Sequence, residues 1–367
     1  MSDNDKIEAS HFMKLVCLFI IGTSSIVIPT IMASQAKQDA WISSIVGMAA
    51  GVLLVLLYSA LGRLYPGKDL VEISKEAFGK WLGSLVSLLW FLYAFILSSL
   101  ALRSLGEFLK STMIPETPVE AIFIVYLCIV VIGVRYGISN IARTVDVFFP
   151  WVIGLVILFA VMLVPDIEIS RLEPVYGEGI QSILKGAYPH IAFPYLELIL
   201  LLIVYPKVKH SKAAGRAFLR GTLLGGSVIT LVTGLSILVL GAESTASDIF
   251  SSFELAKEIE IGGFIQRVEV IIAAIWFITI FFKLVLVFYI TVLSLSQTLN
   301  LSEYRTISLP LGLLFYASGV LIAPNISNLM TFHINIRPAY SAIIGFVLPA
   351  TVLGVGIIRK RFRTARS

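Results

Sequence analysis

The side chains with the most chemical potential lie inside apolar stretches of the sequence. Glu197 follows Pro189 and Pro194 in the run 183–205, which is long enough to cross a bilayer. Proline removes a backbone donor and clashes with the preceding turn, so several backbone groups should lack helical partners. We therefore predict an interrupted span whose free carbonyls and carboxylate face a site or a partner. A proline-kinked packing helix, with Glu197 near an interface, is the alternative.

A second apolar run is interrupted close to the N-terminus. Gly22, Thr23, Ser24 and Ser25 separate two apolar halves, and Pro29 follows. Small polar residues beside glycine allow the backbone to leave the helix, and the half-helix that restarts there offers partial positive charge to a carboxylate. Close packing of small residues against another helix is the alternative reading.

Three further charged residues lie inside apolar stretches. Lys283 is deep within one of them and needs a partner, for which Glu197 and the carbonyls of the first interruption are the candidates. A lysine that extends to the membrane interface is the alternative. Arg103 and Glu107 are four residues apart and can pair along one helix face, either as a structural pair or as part of a gate.

The sequence offers little support for an enzyme. Its four histidines show no metal-ligand spacing, and the patterns of common nucleotide-binding and hydrolytic sites are missing. We predict no catalytic activity, metal or cofactor. His190 is the histidine nearest the second interruption, where a structural role and a ligand contact are both open.

The composition is that of a membrane protein. Hydrophobic residues make up 57% of the 367 residues, charged residues 14%, and the mean hydropathy is +0.93. We expect the N-terminal apolar run to remain in the mature chain. Hydropathy predicts an all-α protein with ten spans, at 12–34, 41–64, 82–109, 119–135, 144–164, 184–205, 217–240, 264–294, 306–323 and 339–358.

The basic residues predict the orientation of these spans. Of the 28 lysines and arginines, 19 fall on the side of the N-terminus and seven, including Arg337, on the other, with two inside spans. Both termini should therefore be cytoplasmic. The net charge of +5 reflects this bias and contact with anionic lipid, and gives no argument for nucleic acid.

The two interrupted spans are the first and the sixth. Because five is odd, a second five-span unit enters the membrane from the opposite side, which is the arithmetic of an inverted repeat. We predict one membrane domain, with repeats at 11–165 and 183–362 and a basic tail at 359–367. Short helices are expected in two connections, from Asp69 to Gly79 on the inner side and from Ser251 to Gly262 on the outer side; simple spacers are the alternative.

Several short stretches together resemble a known family. They are Ile21-Gly22-Thr23 with Pro29, Gln38-Asp39-Ala40-Trp41-Ile42-Ser43, Pro115-Glu116-Thr117-Pro118, and Phe193-Pro194 with Glu197. In combination, and over nearly the full length, they resemble the B subunits of spore germinant receptors, a branch of the amino acid–polyamine–organocation transporter superfamily.

The resemblance implies a fold, a function and partners. It implies the ten-span inverted-repeat fold, a gating helix at 251–262, and a receptor in the spore inner membrane with a membrane-anchored A subunit and a lipid-anchored C subunit. Lys283 would occupy a region where some members hold sodium. Ser24 replaces a glycine found in many members, and span 5 lacks the lysine that some proton-coupled members use. Both departures weigh more against coupled transport than against ligand binding.

The site hypothesis is a small zwitterion, most simply an amino acid, between spans 1, 3, 6 and 8. The proposed ligand-binding residues are Gly22, Thr23, Ser24, Ser25, Tyr93, Leu97, Leu100, Ile191, Ala192, Phe193 and Glu197, with Lys283 as a structural or coupling cation. An amino acid permease and a structural subunit with a vestigial cavity remain alternative functions.

Overall fold

A computed structural model describes residues 6–257 and 269–364. Within them the chain is helical, and one isolated parallel bridge pairs Ile7 with Val208. The α-helices are α1 (Ala9–Ile21), α2 (Ser24–Ala36), α3 (Ala40–Leu64), α4 (Leu70–Phe78), α5 (Lys80–Thr112), α6 (Val119–Tyr136), α7 (Ile138–Met162), α8 (Gly179–Ala192), α9 (Ser211–Leu240), α10 (Ala242–Ser247), α11 (Ser251–Lys257), α12 (Glu269–Thr298), α13 (Arg305–Leu321), α14 (Ile326–Thr331), α15 (Arg337–Ala342) and α16 (Leu348–Thr364).

Eight helical stretches in the described ranges are long and apolar enough to cross a membrane, and α1 and α13 are shorter apolar helices. The expected all-helical, multi-pass membrane protein is confirmed. Side chains on the outer faces of these helices are apolar and exposed, as in Leu53, Trp151 and Leu313. Lipid rather than water is their natural surrounding.

The two predicted interruptions are present. The first α-helix ends at Ile21, and α2 begins at Ser24 after Gly22 and Thr23. The other, α8, ends at Ala192, and a 3₁₀ helix, Tyr195–Ile203, follows Phe193 and Pro194. Neither Pro29 nor Pro189 breaks its helix. Only one of the two prolines in the second run therefore marks the interruption.

The interrupted helices form the centre of the molecule. Between them α1 and α2 pack against α8, α9 and α12, and α3 packs against α8 and α9. Every side chain of the 3₁₀ helix and most of those of α1 and α2 are buried, including polar Ser24 and Glu197. A helix that is apolar on all sides must be surrounded by protein or lipid, and here protein surrounds the interrupted segments.

The last span begins earlier than hydropathy predicts. Two π-helical turns, Phe332–Ile336 and Ile343–Val347, connect α14, α15 and α16 into one stretch. The prediction that Arg337 lies on the outer side is therefore wrong, because Arg337 is buried within this stretch. Single π-helical turns inside α-helices are frequent at functional sites.

The short helix between α3 and α5 forms as predicted. The Asp69 carboxylate accepts hydrogen bonds from the amides of Val71 and Glu72, and the Glu72 side chain accepts from the Asp69 amide. This capping box satisfies otherwise free amides of α4. Gly79 ends the helix with a φ of 85°, a conformation that glycine adopts without strain. The helix predicted for the outer side begins at Ser251, whereas its predicted end at Gly262 lies outside the described residues.

The buried cap of α4 makes stability depend on pH. Burial raises the pKa of Asp69 to about 6, although its hydrogen bonds oppose the shift. A carboxyl group with a raised folded-state pKa stabilises the fold at low pH, and this contribution is lost as pH rises through about 6; the shift is worth about 3 kcal/mol. Asp69→Asn should flatten the resulting fall in melting temperature between about pH 4 and pH 6.5, since the buried Oε1 of Gln297 is free to accept from the new amide. A pH profile equal to that of the wild type would contradict this assignment.

Candidate ligand-binding site

The first interruption exposes the ends of two half-helices to the protein interior. The Gly22 amide still donates to the Leu18 carbonyl at 2.9 Å, so α1 closes at Gly22. Thr23 is the N-cap residue of α2, and its side chain makes no capping hydrogen bond. The first amides of an α-helix have no acceptor within the helix. The Ser24 hydroxyl is also buried and has no hydrogen-bond partner among the described residues.

The second interruption changes the type of helix. Phe193 has an extended backbone, and its amide donates to the Pro189 carbonyl at 2.9 Å. The following nine residues, Tyr195–Ile203, form a 3₁₀ helix, which is unusually long for this conformation. Glu197 lies in its first turn and is fully buried.

Lys283, from α12, joins the two interruptions. A Cβ atom on Gly22 would lie 2.7 Å from Lys283 Cδ, so the lysine side chain passes directly against the first interruption. Its Nζ lies 4.5 Å from the ring centroid of Phe193 and 4.8 Å from that of Phe19. Aromatic faces attract cations, particularly where water is excluded. The lysine is therefore buried in the protein rather than extended to the membrane interface.

The Glu197 carboxylate forms ion pairs with two cationic side chains. Its Oε2 lies 3.1 Å from Lys283 Nζ, and its Oε1 accepts a hydrogen bond from Arg337 Nη2. The relative exposures of Glu197, Lys283 and Arg337 are 0%, 1% and 3%. Glu197 is thus the predicted partner of Lys283, and Arg337 is a second partner that hydropathy had placed on the outer side. We call these three residues the central ion cluster.

Aromatic and histidine side chains complete the surroundings of Arg337. Its guanidinium carbon lies 3.7 Å from the Phe193 ring centroid, and its Nη1 lies 2.7 Å from His333 Nδ1. His333 and Arg337 are four residues apart, so they share one helix face. Phe193 therefore contacts both cations of the central ion cluster from the second interruption.

The central ion cluster is not fully satisfied. Lys283 Nζ and Glu197 Oε2 are close but lack hydrogen-bond geometry, and Arg337 Nε and His333 Nε2 have no partner among the described residues. Buried polar atoms without partners cost free energy, so folded proteins keep few of them, and those that persist often serve a function. Two cations face one carboxylate, so the cluster has an excess of positive charge.

The three predicted span 3 residues have different neighbours. Tyr93 is buried, donates a hydrogen bond to Ser341 Oγ at 3.2 Å, and packs edge-to-face on Tyr340, close to the central ion cluster. Leu97 lies in the main apolar core. Leu100 instead forms a small separate cluster with Ala323 and Leu329. The helix thus faces the site with its Tyr93 region more than with Leu100.

Other predicted residues have structural surroundings. His190 packs against Gly47 of α3 and edge-to-face on Tyr195, with no described contact to the central ion cluster. Arg103 pairs with Glu107 and donates to the Pro324 carbonyl at 3.2 Å, which links α5 to the segment before α14. Ile191 and Ala192 belong to the last turn of α8, where carbonyls lose their helical partners.

The Gln-Asp-Ala-Trp block has a definite structural role. Gln38 donates a hydrogen bond to the Pro174 carbonyl at 2.8 Å, and the Asp39 carboxylate accepts from the Tyr176 amide at 3.0 Å. Both contacts join the end of α2 to the connection before α8. The block therefore holds the two interrupted spans in register on one side of the membrane.

One functional candidate was missed by sequence reasoning. Arg337 precedes Pro338 and stands beside the predicted last span, so it resembled a residue of a loop. The available signal was its helical spacing from His333 inside an otherwise apolar segment.

In the described residues no three His, Cys, Asp or Glu side chains form a group that could hold a metal ion.

Interrupted helices that meet near the middle of the membrane are a feature of many transporter folds. The fold is similar to that of a Na⁺-coupled sialic acid symporter in a substrate-bound outward-open state, with a TM-score of 0.68, 11% identity, and coverage of 97% of this chain and 90% of the symporter. It is also similar to MHP1, a nucleobase-cation-symport-1 family transporter solved in a closed conformation, with a TM-score of 0.66, 14% identity, and coverage of 95% and 78%. These likenesses concern the fold.

Sequence comparison gives the family. A model described as spore germination protein matches residues 6–327, so the chain belongs to the spore germination protein family. It is 25% identical to spore germination protein KB of Bacillus subtilis over 338 residues, which cover 91% of this chain and 90% of that protein. It is 24% identical to spore germination protein A2 of the same organism over 367 residues, with 98% of each chain covered. The predicted resemblance to germinant receptor B subunits is confirmed.

Proposed function

We propose that this protein is the receptor subunit that binds a small nutrient germinant, an amino acid, between its two interrupted spans. The observation that carries the proposal is the meeting of both interruptions at the central ion cluster. Family membership supplies the biological context, since the relatives are spore germination proteins. Binding shifts the equilibrium between two arrangements of the helices, and that shift is the signal.

The amino acid is held through its backbone groups. Its carboxylate meets amides at the start of α2, in Thr23, Ser24 and Ser25, where the helix dipole favours an anion. Its ammonium meets carbonyls at the end of α8, in Ile191, Ala192 and Phe193. Its side chain lies toward span 3, near Tyr93 and Leu97.

Glu197 and Lys283 act mainly on the shape of this site. Glu197 pairs with Lys283 of α12 and Arg337 of α15. It therefore connects the 3₁₀ helix to these two helices and does not offer a free carboxylate to a ligand. A movement of the second interrupted span, which carries Glu197, must stretch these ion pairs, and a movement of the first must shift the Lys283 side chain that packs against Gly22. The central ion cluster is thus the element through which ligand binding reaches the rest of the molecule.

The membrane arrangement completes the proposal. The eight long helical stretches are compatible with ten crossings in two inverted repeats, 11–165 and 183–362, with both termini in the cytoplasm, if α1 and α2 together form the first crossing, α3 the second and α13 the ninth. The protein acts in the spore inner membrane with an A subunit and a lipid-anchored C subunit. The helix α11 on the outer side belongs to the gate.

A spore strain in which this receptor is the only germinant receptor tests the proposal. Spores should germinate with one or a few of the twenty amino acids, and the purified protein should bind the same ones. In reconstituted vesicles the protein should bind this amino acid without accumulating it. Uptake at a transporter's rate with normal germination of the deletion strain would favour a permease and contradict the receptor function.

A further inference from the structure

A groove lies between α6 and α13 on their lipid-facing side, and none of its lining residues belongs to the central ion cluster. It has a volume of about 520 Å³ and is lined mainly by apolar side chains, among them Ile124, Leu127, Cys128, Leu309 and Leu313. The two helices meet closely at Gly312, where a Cβ atom would lie 2.9 Å from Val131 Cγ2. Because Gly312 has no side chain, the surface beside this contact is concave, and Gly312 and Val131 form part of the groove lining.

The groove has one charged lining residue, at one of its ends. Arg135 is exposed in the last turn of α6, and no described carboxylate pairs with it. From Ile124 to Arg135 the helix rises about 16 Å, which is close to half of a hydrocarbon core of about 30 Å. The groove therefore has the length of one leaflet, with a cation at its polar end.

We propose that this groove binds an anionic phospholipid, with an acyl chain along α6 and α13 and its phosphate on Arg135. Guanidinium matches phosphate with two parallel hydrogen bonds. A zwitterionic headgroup also brings an ammonium that the arginine repels, so a lipid with net negative charge binds more tightly. Basic groups beside grooves between membrane helices are the usual means of selecting anionic headgroups. The site is separate from the germinant site and does not depend on the proposed function.

A second groove on the molecule serves as an internal comparison. It lies between α3 and α9, has a volume of about 580 Å³, and is lined by Trp41, Met48, Ser227, Leu231 and other uncharged residues. It can accommodate an acyl chain equally well but offers no cation to a headgroup. Lipid in this second groove should show no headgroup preference.

The experiment uses the full-length protein in nanodiscs of phosphatidylglycerol and phosphatidylcholine in equal amounts. Each lipid in turn carries a photoreactive diazirine on its acyl chain, and cross-linked peptides are identified by mass spectrometry. Peptides of α6 and α13 should favour phosphatidylglycerol about fivefold, as expected for one arginine near the headgroups. Peptides that carry the uncharged lining of the second groove, within 41–48 and 227–238, should show a ratio of about one.

Three variants separate the possibilities. Arg135→Gln should lower the ratio at α6 and α13 to about one, whereas Arg143→Gln, an exposed arginine outside the groove lining, should leave it unchanged. Leu313→Trp should reduce cross-links from both lipids because it fills the groove, and its exposed position spares the fold. Equal ratios in the wild type and Arg135→Gln would overturn the site. So would cross-linking of Cys128 to another protein in native membranes with no lipid found in the groove.

Discussion

Replacing Glu197 by glutamine should destabilise the protein more than any other single change in the central ion cluster. The substitution keeps the size of the side chain but leaves Lys283 and Arg337 as two buried cations without a carboxylate. Removing one partner of a buried ion pair costs about 3 to 5 kcal/mol, because the remaining charge stays buried and uncompensated. Here two charges remain, and they repel each other. We expect a large fall in the melting temperature in detergent or failure of the protein to accumulate in the membrane.

Variants of the two cations define the expected order of stability losses. Lys283→Met and Arg337→Met each leave one cation facing Glu197, so each should fold with a smaller loss of stability than Glu197→Gln. Lys283→Met should nevertheless lose the germination response, because it removes the contact between the two interruptions. Glu243→Gln, at an exposed position, is the control. The account of the cluster is wrong if Glu197→Gln melts at or above the temperature of Lys283→Met, or if Lys283→Met functions normally.

Gly22→Trp should abolish the germination response while the helices remain. At Gly22 even a Cβ atom would lie 2.7 Å from Lys283 Cδ and 3.2 Å from the Phe19 carbonyl oxygen, so an indole must displace the lysine and fill the first interruption. Germination of spores that rely on this receptor should slow by at least about tenfold, equivalent to about 1.4 kcal/mol or more of lost ligand binding.

A matched variant controls for the size of the new side chain. Gly154 lies on α7 with no atom within 4 Å of a Cβ placed there, and it is exposed on the outside of the bundle. Spores that carry the Gly154→Trp receptor should germinate at the rate of wild-type spores. Equal impairment by both tryptophans would mean that the first interruption has no special role in the response.

The elements that the sequence predicts well are those set by local chemistry. Gly22 and Pro194 mark the two interruptions because glycine frees the backbone and proline removes a donor wherever they occur. The capping box at Asp69 is equally local. Lys283 and Glu197 could be paired by reasoning because buried charges need partners and few were available.

The features that sequence reasoning missed depend on tertiary packing. The buried position of Arg337 follows from two π-helical turns and from the carboxylate of Glu197 far away in the chain. The 3₁₀ conformation of Tyr195–Ile203 is likewise imposed by surrounding helices, because its leucine-rich sequence is typical of an α-helix. The rotation of α5, which turns Leu100 toward Ala323 and Leu329, is decided by neighbours that hydropathy does not identify.

Equilibrium binding of labelled amino acids to the purified protein tests the central claim most directly. The wild type and Gly154→Trp should bind the same amino acid with equal affinity, and Gly22→Trp should show no saturable binding. The ligand would then lie where the two interrupted spans meet. Unchanged affinity in a correctly folded Gly22→Trp protein would contradict a site at this position.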